Sequence, residues 1–316
     1  MDGKQRAFGN AAYSVALDAA ELLLRPRQFA AHQTIDRRAR LHAVFRKLKW
    51  RDYQARDAAL ASLRPDRPLQ AIPDAVGFRW VDDADEALVE AARAAASSFR
   101  DTLDLEAIIS RSPNKHLVSV PIPLDAPQNR SILDLIVHPA MVKMAGDYVG
   151  TLPVLMDTSL MYSPNASDIA ATSQQYHFDG QDIRTILVYL FLHDVDRDGG
   201  PFVALTADAS ERVAKTVHYR KTGANKRLTD DTIDRLVKPS EKHTFTGPAG
   251  SMFACDTDRC FHYGSRSAAR PRYMLVFHYV SPACFQIPWR YQDALAQSAA
   301  AKLPHLEPWQ RMVLGG

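Results

Sequence analysis

His177 and Asp179, in Tyr176-His177-Phe178-Asp179-Gly180, are the pair in this chain best placed for chemistry. In an extended segment, residues two apart leave the same side of the backbone, so their imidazole and carboxylate can converge on one ion. Two histidines and one carboxylate on one face of an octahedron form the non-haem Fe(II) site and leave open positions for substrate chemistry. The third ligand must come from far along the chain. His262, in Cys260-Phe261-His262-Tyr263-Gly264-Ser265, is the best candidate, with His243 and His278 as rivals.

Arg272 follows ten residues after His262 and opens the apolar run Tyr273-Met274-Leu275-Val276-Phe277. This run reads as a buried strand with a cation at its mouth. A buried guanidinium needs an anion, and its planar fork matches a carboxylate bidentately. If the metal is iron, the natural anion is the distal carboxylate of 2-oxoglutarate. Arg270 is the runner-up anchor, since it shares the parity of Arg272 but precedes Pro271. His278 also shares that strand face, so it either lines the pocket or is a satisfied core histidine.

The order of motifs adds weight to this reading. His-x-Asp is followed by a hydrophobic strand, then Asp198-Gly199-Gly200-Pro201-Phe202, then Gly250-Ser251-Met252-Phe253, then His262 with Arg272. Over about residues 131 to 281 this order resembles the phytanoyl-CoA dioxygenase-like branch of the Fe(II)/2-oxoglutarate oxygenases. The resemblance implies a mostly β core with flanking helices, a double-stranded β-helix or jelly roll of cupin-like type. It carries His177, Asp179 and His262 over as iron ligands and Arg272 as the 2-oxoglutarate anchor, with Ser265 as a further hydrogen-bond donor to that carboxylate. The implied activity oxidises a C–H bond of a small molecule, using O2 and releasing succinate and CO2. Hydroxylation is preferred to halogenation, because halogenases of this type have a small residue where Asp179 stands. Two positions depart from the family pattern: Val203-Ala204-Leu205 replaces a Gly-Ser-His turn, and Tyr263 separates His262 from Gly264-Ser265.

The chain as a whole is compatible with such an enzyme. Its 316 residues can bury a substantial core, and 46% hydrophobic with 24% charged residues is an ordinary globular composition. A formal net charge of +3 gives no case for nucleic-acid binding. Three cysteines, Cys255, Cys260 and Cys284, argue against a disulfide framework and for a reducing, cytoplasmic setting. No stretch reads as a signal peptide or a membrane span.

The elements that must position these residues can be outlined from periodicity. Residues 1–70 read as an N-terminal helical extension and 71–316 as the β-helix domain, the two forming one folded unit. Helices are expected over 11–24 and 37–51, the second basic, with Leu41, Val44, Phe45 and Leu48 as its apolar face. That basic face is either a solvated surface, the favoured reading, or a dock for an acidic partner such as a carrier- or CoA-linked substrate. A strand at 77–81 precedes a helix over 84–99 capped by Asp82 or Asp83, and one helix is expected from 131 to 148. Strands are expected at 155–162, 184–193 and 272–280, and residues 244–256 read as strand, Gly-Pro-Ala-Gly turn, strand. Residues 207–217 and 291–302 read as helices, and 218–242 as a lid or insertion. Two other readings compete with the oxygenase. One is a cupin-type metal dioxygenase that does not use 2-oxoglutarate; the other is a catalytically silent jelly-roll scaffold.

Overall fold

The structure, a computed structural model, describes residues 33–112, 116–164, 172–220, 227–266, 269–285 and 299–315. The helix expected over 11–24 and most of the one expected over 291–302 lie outside them. The described chain begins with α1 (Ile35–Leu48), α2 (Trp50–Ser62), β1 (Phe78–Trp80), α3 (Glu86–Asp101), α4 (Leu105–Arg111), β2 (Val118–Pro121), α5 (Arg130–Ile136) and α6 (Pro139–Val149). It continues with β3 (Val154–Ser163), β4 (Ile186–Phe191), β5 (Phe202–Leu205), α7 (Ala207–Thr216) and α8 (Asp230–Leu236). The last elements are β6 (Lys242–Phe245), β7 (Met252–Cys255), β8 (His262–Tyr263), β9 (Arg272–Val280) and α9 (Pro308–Val313).

The strands form two antiparallel sheets, one in the order β1-β7-β4-β9-β3-β2 and the other β6-β5-β8. An antiparallel bridge between His177 and His262 adds the His-x-Asp segment beside β8. Strand β4 shows why the sheets face each other. Its residues alternate, with Leu187, Tyr189 and Phe191 joining Phe202, Phe245 and Phe253 between the sheets. Ile186, Val188 and Leu190 join Leu133, Ile136 and Met141 of α5 and α6 on the opposite side. Every residue of β4 is therefore buried, and its sequence is apolar throughout. Ring contacts close the interior, with Phe245 and Phe253 stacked at 4.0 Å and Tyr189 and Phe253 at 4.7 Å. Two facing antiparallel sheets flanked by helices are the expected jelly roll.

Several helical boundaries differ from expectation. The helix expected from 131 to 148 is two helices, because Pro139 cannot continue α5 and instead opens α6. Helix α3 starts later than expected and is capped by Asp85, whose side chain accepts from the Leu88 N–H at 2.9 Å. The basic helix breaks at Lys49, and its buried face is not the apolar one. In α1 the buried residues are Arg38 and His42, while Val44 is 52% and Leu48 76% exposed. The buried carboxylates of Asp182 and Asp258 lie beneath this helix and demand cations. Leu41 and Phe45 still pack on Phe285. Helix α2 is tied to the body by Arg56, which donates to the carbonyls of Pro153 and Met312 at 3.3 and 3.0 Å. Within 218–242, Leu228 bridges Tyr176 and α8 buries Ile233, so the described part of that segment packs against the His-x-Asp strand. No described helix is long and apolar enough to cross a membrane.

Candidate active site

His177 and His262 stand opposite each other on neighbouring antiparallel segments, joined by backbone hydrogen bonds of 3.1 and 3.2 Å in the two directions. Alternation then separates two chemistries. The adjacent residues Phe178 and Phe261 stack at 3.9 Å on the outer side, against Tyr219. The imidazoles turn to the interior with ring centroids 4.3 Å apart. Asp179 completes the group, with its Oδ1 3.6 Å from Nε2 of both histidines. One ligand atom from each of the three residues lies within 4.8 Å of the other two, a spacing that could hold a metal ion.

Second partners aim the rings. Nδ1 of His177 is 2.8 Å from the Gln175 carbonyl, and Nδ1 of His262 is 3.0 Å from the Cys260 carbonyl. A carbonyl only accepts, so Nδ1 carries a proton in each ring and Nε2 is the nitrogen turned toward Asp179. The Asp179 N–H donates to the Thr257 carbonyl at 3.1 Å, which holds the start of the ligand turn. Burial lowers the His177 pKa, the neighbouring His262 adds to this, and Asp179 opposes it. Burial pushes the Asp179 carboxyl up, but the two imidazoles outweigh it and hold the group well below the usual carboxylate range. The set thus offers two imidazole nitrogens and one carboxylate, donors that a divalent cation can take by displacing any Nε2 proton.

The three residues open into a cavity of about 120 Å3, whose walls include Arg272, Tyr189, Phe202, Leu117, Met161 and Met274. Arg272 is 1% exposed, and burial pulls its guanidinium down to about 10. Its Nη1 donates to the Gly200 carbonyl and its Nη2 to Ser163 Oγ at 3.3 Å, while Nε is buried without a partner among the described residues. Among the described residues no carboxylate pairs with it. Gly264 makes room for this side chain, since a Cβ there would stand 3.1 Å from Nη2. Ser265 is buried and held at φ 58°. Its N–H shares the Gly200 carbonyl, and its hydroxyl has no partner among the described residues. Ser265 is adjacent to the cavity wall residue Gly264 but is not itself part of the lining.

The rival candidates fall elsewhere. His243 packs among Phe78, Trp80 and Phe245, and Arg270 pairs with Asp196 on the surface. His278 is a core histidine against Thr185 Oγ1 rather than a cavity residue. Burial pulls its pKa from 6.5 down to about 4. Below pH 6.5 the unfolded chain takes up a proton that the folded chain declines, so stability is full above that pH and falls as pH drops toward 4. The loss is at most about 3 kcal/mol. Urea unfolding of the metal-free protein at pH 7 and pH 4.5 should therefore show a pH dependence that His278→Gln reduces.

Ser163 and Tyr189 were not evident as site residues from the sequence. Ser163 pairs with Arg272 in the β3/β9 register, and Tyr189 shares the interior face with Leu187. Tyr189 stands opposite Val276 in the β4/β9 register, a long-range pairing that period-two parity along β9 does not reveal. Among the described residues no disulfide forms, as expected, and all three cysteines are buried. A larger depression of about 570 Å3 lies between the 63–74 segment and α6, but its lining contains no histidine.

No family model matches the chain, and no curated protein matches it. Among solved structures it is similar to the apoform of EctD from S. alaskensis, with 14% identity over 69% of this chain and 82% of that one and a TM-score of 0.47. It is also similar to the epimerase SnoN in complex with Fe3+, alpha ketoglutarate and nogalamycin RO, with 16% identity over 71% and 84% of the two chains and a TM-score of 0.42. The non-heme monooxygenase ThoJ in complex with Ni matches at 16% identity over 66% and 75%, with a TM-score of 0.40. Similarity at this level carries no inference about chemistry, which has to come from the site itself.

Proposed function

We propose that the protein is an Fe(II)- and 2-oxoglutarate-dependent oxygenase acting on a small molecule. His177, Asp179 and His262 would hold the iron. Arg272 would bind the distal carboxylate of 2-oxoglutarate, with Ser265 steadying the same corner through the shared Gly200 carbonyl. The observation that carries the reading is the Arg272 guanidinium, buried and without a carboxylate partner among the described residues, in the same cavity as a two-histidine, one-carboxylate set. A buried cation with no counter-ion is costly unless a ligand supplies the anion. A cupin-type dioxygenase that dispenses with 2-oxoglutarate would have no use for it.

When bound, the iron and 2-oxoglutarate supply the oxidising power, drawn from O2 and from decarboxylation to succinate. The chain's own residues set the geometry in which this happens. The Nδ1 hydrogen bonds fix both imidazoles in one tautomer and orientation. Phe202, Met161, Met274 and Leu117 make the cavity walls apolar, which excludes water from a reactive centre. Hydroxylation is the preferred outcome because the carboxylate ligand is present.

Anaerobic addition of Fe(II) and 2-oxoglutarate together should produce a weak visible charge-transfer band that neither produces alone. Admission of O2 should then release succinate. No band under any condition would return the protein to the scaffold reading, and a metal-bound protein indifferent to 2-oxoglutarate would favour the cupin one.

A further inference from the structure

Beneath α1 lies a cluster of buried charge that the proposed reaction does not use. Arg38 and His42 are 5% and 6% exposed, and Asp182 and Asp258 are 0% and 3% exposed. Arg38 Nη2 donates to the Asp182 carbonyl and stands 3.8 Å from Asp258 Oδ1. His42 Nε2 lies 3.2 Å from Asp182 Oδ1 and 2.9 Å from Ser281 Oγ. Asp258 accepts from the backbone N–H of Gln181 at 2.8 Å and from that of Asp182, while Asp182 Oδ2 accepts from Ser281 N–H at 2.7 Å.

These contacts converge on the turn that follows the carboxylate of the candidate metal set. Gly180, at φ 71°, turns the chain directly after Asp179. Asp179 is held at its own N–H by Thr257, so the turn is gripped on one side by the 257–258 segment and on the other by α1. Buried ion pairs add little to stability compared with apolar packing, and their best-attested use is to fix one geometry. Here the fixed geometry is that of the backbone carrying Asp179.

We propose that Arg38 is a positioning residue for the metal centre, acting through Asp182 and Asp258 on the turn that aims Asp179. The inference rests on reading His177, Asp179 and His262 as the ligand set. It makes α1 a structural part of the active site and explains why the helix buries its charged residues and leaves Val44 and Leu48 exposed. Without Arg38, the buried Asp258 carboxylate loses its cation and the Asp182 carbonyl loses its donor. The turn is then free to relax, and Asp179 loses its fixed aim.

The test uses Co(II) alone as an anaerobic probe, reading affinity by titration and coordination geometry by the visible ligand-field bands. The full chain is compared with Arg38→Gln, Arg38→Lys, Asp258→Asn and, as a control on the exposed side of the same helix, Arg40→Ala. Thermal unfolding of each metal-free protein is measured in parallel. Arg38→Gln and Asp258→Asn should remain folded, bind Co(II) on the order of 10-fold more weakly and shift the bands. Arg38→Lys should recover part of both effects, and Arg40→Ala should match the unsubstituted protein.

Folded Arg38→Gln and Asp258→Asn proteins with unchanged affinity and bands would overturn the positioning role. So would loss of folded protein in both, which would make the cluster a folding element only. Absence of Co(II) binding by the unsubstituted protein, or undiminished binding by Asp179→Ala, would instead remove the ligand set, and this inference with it.

Discussion

Asp179→Ala is expected to abolish 2-oxoglutarate turnover and to weaken Fe(II) binding by at least about 100-fold, beyond what loss of an outer hydrogen-bond partner costs. Three features set that size. The carboxylate is the only anion of the set and is held ionised by the two imidazoles. It also lies 3.6 Å from both Nε2 atoms, so its removal leaves the two imidazoles facing an open space. Finally, His177 is not a surface residue that water can easily supplement, since it is 6% exposed. His177→Ala should behave in the same way. His243→Ala should bind Fe(II) as the unsubstituted protein does, because His243 sits in an aromatic cluster away from the triad. Anaerobic calorimetric titration with Fe(II) separates the two ligand variants from His243→Ala. Equal affinity in Asp179→Ala and the unsubstituted protein would refute the assignment of this triad as the metal site.

The triad was legible in the sequence because a strand has period two, and period two is written directly in His177-Phe178-Asp179. The partner His262 was legible by order and by its setting. The structure adds that Phe178 and Phe261 repeat the pairing on the other side of the same ladder. β4 and β9 were equally plain, since burial on both faces leaves β4 apolar throughout and β9 apolar except at Arg272 and His278. Helix α1 was misread for a specific reason. Amphipathic periodicity assumes that apolar side chains face the body, but the body beneath α1 presents Asp182 and Asp258, whose burial no local pattern reveals. The break at Pro139 was a local signal outweighed by an expected continuous helix. Ser163 could be found only from the β3/β9 register, which depends on long-range pairing that one sequence does not disclose.

Arg272→Met should produce a paired effect that no other substitution in the cavity shares. The first half concerns the co-substrate. A charge-assisted hydrogen bond to a carboxylate contributes roughly 1.5–3 kcal/mol, so loss of the guanidinium should raise the 2-oxoglutarate concentration needed to form the charge-transfer band by about 100-fold. The second half concerns the protein without ligand. Arg272 is buried with Nε unpartnered and with burial alone drawing its pKa down to about 10, so in the empty cavity it is a cost to folding. Methionine keeps most of the stem volume and removes that cost. The Gly200 carbonyl would keep the Ser265 N–H as a donor. The ligand-free variant should therefore unfold at a temperature no lower than the unsubstituted protein. Saturating 2-oxoglutarate with a redox-inert divalent metal should raise the unfolding temperature of the unsubstituted protein well above that of the variant, because a ligand stabilises only the state that binds it. A variant that responds to 2-oxoglutarate like the unsubstituted protein would place the carboxylate elsewhere and remove the principal support for this co-substrate. A variant that is strongly destabilised when empty would show instead that Arg272 is held by the fold for its own sake, as a strut between Gly200 and Ser163.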